Sequence, residues 1–514
     1  MYHSITLIFD NRGYDMNKNP ASDSLPVELH SMTALLDMLA QRHIGSLELL
    51  ELLIKRIERL NPALNAVIAM DLDAARTAAR VADNAPPDQR GPLHGLPMTI
   101  KDAYEVRGMT ASCGIPLLAD HRSGRDAEAV ALLRHAGAIP FGKTNTPVAA
   151  ADHQSYNPLY GSTNNPWDVT RTPGGSSGGA AAVVAAGCTP LELGSDIGGS
   201  IRCPAHFCGI YGHKPSYGIV PMRGHIPPMP GTLSIAGLGV GGPLARSAAD
   251  LELALDVLVK PGSLDNKAWS VRLPQSRHQR LQDFRVALWA DQTGYRIDSR
   301  CLEAMHAFAE DLRRAGVTVD ATARPELDPA DSDDLYIAML FSILSVGMTE
   351  EDRRLTVEAG AAAAPGDRSY PARIARAMQF SHRDFLMLQE RQQHLFRVWE
   401  SFFTRYDLML CPVMPTVAFP HDHSGTGPGH IAQYSRRHVA DGQDCPYMEG
   451  LQWPGLVTVA HLPATALPTG RFIEGLPMGL QAVGPYLEDR TSLRFARLVE
   501  REIGGYVPPP RALS

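Results

Sequence analysis

Helix-period and strand-like segments alternate on both sides of a glycine- and serine-rich stretch, and that pattern predicts an α/β fold. The alternation is the same before and after the stretch, and no long polar linker divides the two parts, so one large domain is expected. The stretch itself reads Thr172-Pro-Gly-Gly-Ser-Ser-Gly-Gly-Ala-Ala-Ala-Val-Val-Ala-Ala-Gly187, followed closely by Gly194-Ser-Asp-Ile-Gly-Gly-Ser-Ile-Arg-Cys-Pro-Ala205.

Residues 1–25 are read as a disordered tail, because Asp10–Leu25 is polar and carries a second methionine at Met16. Ser31–His43 and Ser46–Leu60 place apolar residues at helical spacing, each opening with a serine N-cap. Leu64–Met70 reads as a strand and Asp71–Ala82 as a helix with alanines on its packed side. Met98–Lys101 is expected as a strand, Asp126–His135 as a helix stopped by Gly137, and Ala138–Phe141 as the next strand. The pattern resumes with a strand at Arg285–Ala290, a helix over Asp298–Ala315 stopped by Gly316, and Val317–Val319 as a strand. Pro371–Tyr406 is mainly helical in pattern, Asp407–Cys411 strand-like, and His421–His430 a glycine-rich loop.

Composition excludes several classes of function. With 514 residues, 44% hydrophobic and 20% charged, the chain is an ordinary globular one. A formal net charge of −7 without any Lys/Arg run gives no nucleic-acid footprint. Seven scattered cysteines (Cys113, Cys188, Cys203, Cys208, Cys301, Cys411, Cys445) form no CxxC pair, which predicts reduced thiols and a cytoplasmic protein. The N-terminus has no signal-peptide pattern, and no window approaches a membrane span, so no membrane contact is expected.

The two glycine-rich turns can each hold a serine hydroxyl beside exposed backbone donors, an arrangement suited to a hydrolase. Upstream, Gly95-Leu-Pro-Met-Thr-Ile-Lys-Asp102 places Lys101 at the end of an apolar run, where desolvation would favour its neutral, basic form. No histidine lies at a telling distance from the serines, so a serine nucleophile here needs another base. Two literal motif matches fail on context. Gly174–Gly178 fits the G-x-S-x-G elbow, but the segment before it, Asn164–Pro173, is no strand. Gly137–Thr144 fits the P-loop pattern, yet a helix precedes it and its interior is strand-like, so ATP binding is not expected. His421, His423 and His430 are irregularly spaced and read as solvated loop residues, with no metal implied. Cys203 and Cys208 read as small core residues rather than nucleophiles.

These motifs resemble the amidase signature family, whose words recur in order at Gly142-Lys-Thr-Asn-Thr-Pro147, Phe207-Cys-Gly-Ile-Tyr-Gly-His-Lys-Pro215 and Gly475-Leu-Pro-Met-Gly-Leu-Gln481. The resemblance implies a mixed, twisted central β-sheet covered by helices on both faces. It divides the chain into a domain at 26–506, with a signature core at about 90–250 and a substrate-shaping region at about 262–450, and a C-terminal tail at 507–514. It also implies Ser200 as nucleophile, Ser176 as a bridging serine preceded by a cis peptide, and Lys101 as base. Ile197, Gly198, Gly199 and Ser200 would supply the oxyanion-hole N–H groups, Ala150 would face the substrate, and Ser177, Asp196 and Arg202 would give structural support.

The function so implied is an amidohydrolase cleaving a small-molecule carboxamide, anilide or carbamate through an acyl-enzyme, without cofactor or metal. Esterase or urethanase side activity is included, and a homodimer is left open. A second reading is the glutamine-amidase subunit of a tRNA-dependent amidotransferase. Against it, Leu451–Pro463 holds no acidic residue for the amino group of glutamine, and Thr458 and His461 replace the usual Asn and Gly. Val148 stands where many relatives are acidic. An inactive interaction protein ranks last, since Lys101, Ser176 and Ser200 are all present. Deleting residues 1–15 is expected to leave melting temperature and activity nearly unchanged; a fall of several degrees would show that this segment docks.

Overall fold

The computed structural model describes residues 25–361, 363–364, 366–425 and 431–513, so the expectations for residues 1–24 and for His430 lie outside it. The two leading helices form at Met32–Ala40 and Ser46–Leu64. Ser31 caps the first, its side chain accepting from Ala34 N. Ser46 does not cap the second. Gly45 holds that position, and Asp83 accepts from Ser46 N at 2.6 Å and Leu47 N at 3.2 Å. Ser46 Oγ is thereby free to donate to Gly95 O at 2.6 Å, tying the helix to the turn before the strand of Lys101.

Eleven strands make one sheet, ordered Val67–Met70, Ile139–Thr144, Pro97–Lys101, Leu191–Asp196, Val240–Ala245, Tyr211–Lys214, Ala464–Ile473, Leu476–Val483, Leu408–Cys411, Arg285–Leu288, Thr318–Asp320. Ile139–Thr144, Pro97–Lys101 and Leu191–Asp196 run parallel to one another, as do the last three, while the pairings between these groups are antiparallel. The sheet is therefore mixed.

Side chains alternate across a strand, and here both sets are buried. Leu408 and Leu410 join one apolar cluster while Met409 and Cys411 join another; Val286 and Leu288 likewise part from Ala287. Helices Ser46–Leu64, Gly178–Ala185, Ala248–Leu258, Ser299–Arg314 and Asp489–Glu502 contribute to the first cluster, Pro329–Leu344 and His382–Phe402 to the second. Among the described residues no helix is long and apolar enough to cross a membrane.

Helix Gly178–Ala185 is buried along its whole length, which explains its restriction to Gly, Ala and Val. A Cβ on Gly179 would lie 2.5 Å from Asn145 N. The helix thus packs directly on backbone, and this close approach places its N-terminus beside the end of the strand of Lys101.

The P-loop match is resolved by the same sheet: Ile139–Thr144 is strand throughout, and Lys143 points into the protein, 3.0 Å from Asp102 Oδ1. Residues 507–514, expected as a tail, include a short helix at Pro510–Leu513 with Ala512 buried. Its anchor is Arg56, a buried side chain that donates through Nε to Ala186 O at 2.7 Å and through Nη2 to Ala512 O at 2.5 Å. Deleting residues 510–514 leaves that guanidinium donor without its acceptor and is expected to cost about 1–3 kcal/mol in denaturant unfolding. Unchanged stability would mean that the helix rests on the surface without contributing.

Candidate functional site

Lys101 ends a strand whose parallel neighbours, Ile139–Thr144 and Leu191–Asp196, end at the same edge of the sheet, the place where open α/β sheets put their ligands. Its amine is wholly buried and meets three hydroxyls: Ser176 Oγ at 2.6 Å, Ser177 Oγ at 3.0 Å and Ser195 Oγ at 3.1 Å. Burial lowers its pKa to about 8, against the opposing pull of Cys113, Asp196 and Glu192.

Ser176 follows a cis peptide at Gly175. The glycine is required by space, since a Cβ there would lie 2.5 Å from Asp152 O and 2.7 Å from Gln154 N. Ser177 precedes helix Gly178–Ala185 and bridges the two glycine-rich segments: its N donates to Ser200 O at 3.1 Å, and its Oγ donates to Ser195 O at 3.3 Å.

Ser200 lies on the turn after Leu191–Asp196, and Asp196 organises that turn. Its carboxylate accepts from Gly199 N at 2.9 Å and Ile201 N at 3.0 Å, and it takes Arg202 as a fork through Nε at 3.0 Å and Nη2 at 2.9 Å. Burial pushes the carboxyl up, but the charge of Arg202 and these donors outweigh it and hold Asp196 well below the ordinary range. Arg202 reaches on to Thr458 Oγ1, Gln481 Oε1 and Pro454 O. One expectation is corrected here. The Gly199 N–H is already engaged by Asp196, so of the four proposed oxyanion donors only Ile197, Gly198 and Ser200 have no acceptor among the described residues.

Sequence reading missed four side chains that complete the site. Tyr336 donates to Ile197 O at 2.9 Å and His153 Nε2 to Gly198 O at 3.0 Å, so these two carbonyls of the turn are held by side chains from outside it. Ser195 and His225 extend the contacts of Lys101, with Ser195 Oγ 2.8 Å from His225 Nε2. Gly224, beside His225, is a local turn signal that went unread, whereas Tyr336 sits more than a hundred residues from the motif it braces and leaves no local trace.

Ser176 and Ser200 open onto one cavity of about 690 Å³, which Ala150 also lines. Met222, Val240, Met339, Ile343, Met348 and Phe385 make its walls apolar. Among the described residues no Lys or Arg lines it, and its one carboxylate is Asp196, already paired. Ala149 and Ala150 hold φ of 53° and 55°. The loop carrying them continues to Asp152, which is bound by Arg436 at 2.6 Å and Tyr447 at 2.6 Å.

Cys113 and Cys203 are buried, and burial pushes both thiols up to about 12, so neither is a competing nucleophile. His438, Cys445 and Glu449 bring ligand-type atoms within 4.8 Å of one another, but Arg296 lies 3.7 Å from Glu449 Oε2 and 3.6 Å from Cys445 Sγ, which gives the group its counter-charge. His421 and His423 are half-buried rather than solvated, His423 stacking on Tyr156 at 4.1 Å.

Replacing Arg202 with Met strands a buried carboxylate, so unfolding free energy is expected to fall by about 3–5 kcal/mol, with activity lost because the turn is no longer held. Stability within about 1 kcal/mol of the parent in urea would contradict this account of the ion pair.

A family model described as Amidase matches residues 48–493. The chain is 30% identical to fatty-acid amide hydrolase 2-A of Danio rerio, over 94% of this chain and 90% of that protein. It is 32% identical to a glutamyl-tRNA(Gln) amidotransferase subunit of Chloroflexus aurantiacus, over 94% and 99% respectively. The fold superposes on a bacterial aryl acylamidase with a TM-score of 0.78 at 24% identity, covering 93% of this chain and 97% of that one. With its motifs, its eleven-stranded sheet and a family match over most of its length, the chain belongs to the amidase signature family, hydrolases acting on amide C–N bonds.

Proposed function

We propose that the protein hydrolyses neutral, apolar carboxamides, anilides or carbamates through an acyl-enzyme on Ser200, with Ser176 relaying protons to Lys101. The observation that carries this reading is the buried Lys101 amine 2.6 Å from Ser176 Oγ, behind the wall of an apolar cavity onto which Ser200 also opens. Neutral Lys101 takes the proton of Ser176, which takes that of Ser200 as its Oγ attacks the carbonyl carbon. The N–H groups of Ile197, Gly198 and Ser200 stabilise the resulting oxyanion. The proton then returns through Ser176 to the nitrogen, the C–N bond breaks, and water releases the acid by the same route. No cofactor enters these steps.

The likeness to the amidotransferase protein supports a second reading, a glutamine amidase within a complex. The cavity argues against it, because the charged ends of glutamine would meet no free cation or carboxylate among its described lining residues. Turnover of an apolar anilide by the purified chain alone is the expected result and separates the two readings. No turnover of any amide, ester or urethane without partners would favour the second.

Lys101 acts only when neutral, so kcat/KM is expected to rise with pH through a limb near 8 and to fall as the amine protonates below it. Lys101→Arg should be inactive at every working pH, since a guanidinium cannot supply a neutral base. Near-normal rates in Lys101→Arg would sink the assignment. Ser200→Ala should abolish turnover, and adding Ser176→Ala should cost little more, because residues acting as a unit lose activity non-additively.

A further inference from the structure

Lys101 makes contacts that the relay above does not use, and they form a chain whose direction can be read from its far end. Lys101 Nζ lies 3.1 Å from Ser195 Oγ, Ser195 Oγ lies 2.8 Å from His225 Nε2, and His225 Nδ1 lies 2.9 Å from Pro227 O. A carbonyl oxygen only accepts, so Nδ1 carries the ring proton. Burial lowers the imidazole pKa to about 4, which keeps the ring neutral and leaves Nε2 as a bare acceptor. Ser195 therefore donates to His225, and its oxygen is left to accept from an N–H of Lys101.

Ser177 is oriented in the same way. Its Oγ lies 3.3 Å from Ser195 O, again an acceptor only, so its hydroxyl proton points there and its oxygen also accepts from Lys101, at 3.0 Å. A neutral amine has two N–H bonds and one lone pair. Ser195 and Ser177 take both N–H bonds, and the remaining contact, to Ser176 at 2.6 Å, receives the lone pair.

We propose that His225 is a positioning residue for catalysis: acting through Ser195, it decides which face of the Lys101 amine is offered to Ser176. The imidazole is itself fixed, edge-on to Tyr104 with ring centroids 4.9 Å apart. Without it the Ser195 hydroxyl can turn and donate to the Lys101 lone pair, in competition with Ser176. The proposal rests on Lys101 being the base.

The test is kcat and KM on one chromogenic apolar anilide for the parent, His225→Leu, His225→Gln, Ser195→Ala and the double variant Ser195→Ala with His225→Leu, with Lys101→Ala as a control. His225→Leu should lower kcat by about tenfold or more, the rate equivalent of roughly one well-placed hydrogen bond, with KM little changed. Glutamine can accept from Ser195 and donate to Pro227, so His225→Gln should recover most of the rate. The double variant should match Ser195→Ala within about twofold, since His225 has no route that bypasses Ser195. Parent-like kcat in His225→Leu, or losses that add in the double variant, would overturn the proposal. Should His225→Leu fail to fold, Ser195→Ala decides: it takes away the acceptor of one Lys101 N–H, so kcat should fall there too, and an unchanged kcat would show that orienting the amine through Ser195 does not matter. Activity in Lys101→Ala would instead overturn the base assignment, so the two failures are told apart.

Discussion

Removing one lysine amine from water is the constraint on which the rest of the site depends. In water the amine is an ammonium ion and no base; with its water removed and hydroxyls as its neighbours, the neutral form becomes accessible near neutral pH. Desolvation on this scale needs atoms packed tightly on every side, and the surrounding sequence follows from that need. Gly175 lies against the backbone of residues 152–154, Gly179 against Asn145, and a helix of small residues lies buried behind them.

Two other buried lysines show why burial alone does not make a base. Lys143, on the neighbouring strand, donates to Asp102 Oδ1, Tyr104 O and Thr110 O, and Lys214 donates to Pro215 O and Leu462 O. Carboxylates and carbonyls accept protons in hydrogen bonds but have none to give. Lys143 and Lys214 act as struts. The amine of Lys101 is surrounded by serine hydroxyls, which unlike carboxylates and carbonyls carry a proton of their own, and this is the difference on which the proposed relay through Ser176 rests.

Local patterning made the fold class legible, because each element is carried by a short segment with its own turn and strand chemistry, whereas the pairing of Lys101 with Ser176 was implied only by the family resemblance of the motifs. What stayed hidden has definite physical causes. Val240-Gly-Gly-Pro-Leu-Ala245 is a strand buried on both faces, so it shows no alternation, and its Gly-Gly-Pro reads as a turn. Ser46 looked like a cap because the true acceptor, Asp83, comes from another helix. Gly199 looked like an oxyanion donor because only the folded turn shows Asp196 already occupying its N–H. Tyr336, His153 and His225 act on the site across 139, 45 and 30 residues, distances at which a single sequence carries no spacing signal.

The division between chemistry and recognition follows from these distances. The groups to which the proposed chemistry is assigned, Lys101, Ser176 and Ser200, all come from residues 101–200, on a strand end and on the turns before two helices. The cavity walls come largely from elsewhere: Met339, Ile343, Leu344 and Met348 from the segment around the end of helix Pro329–Leu344, Phe385 from helix His382–Phe402, and His461 from after Gln452–Thr458. Side chains there can change volume without touching the amine, the serines or the Asp196 turn. Tyr336 is the exception, since it lies in the same helix as the wall residues yet holds the carbonyl of Ile197. That hydrogen bond ties a helix of the cavity wall to the turn that carries Ser200, so wall and turn are joined through the Tyr336 hydroxyl.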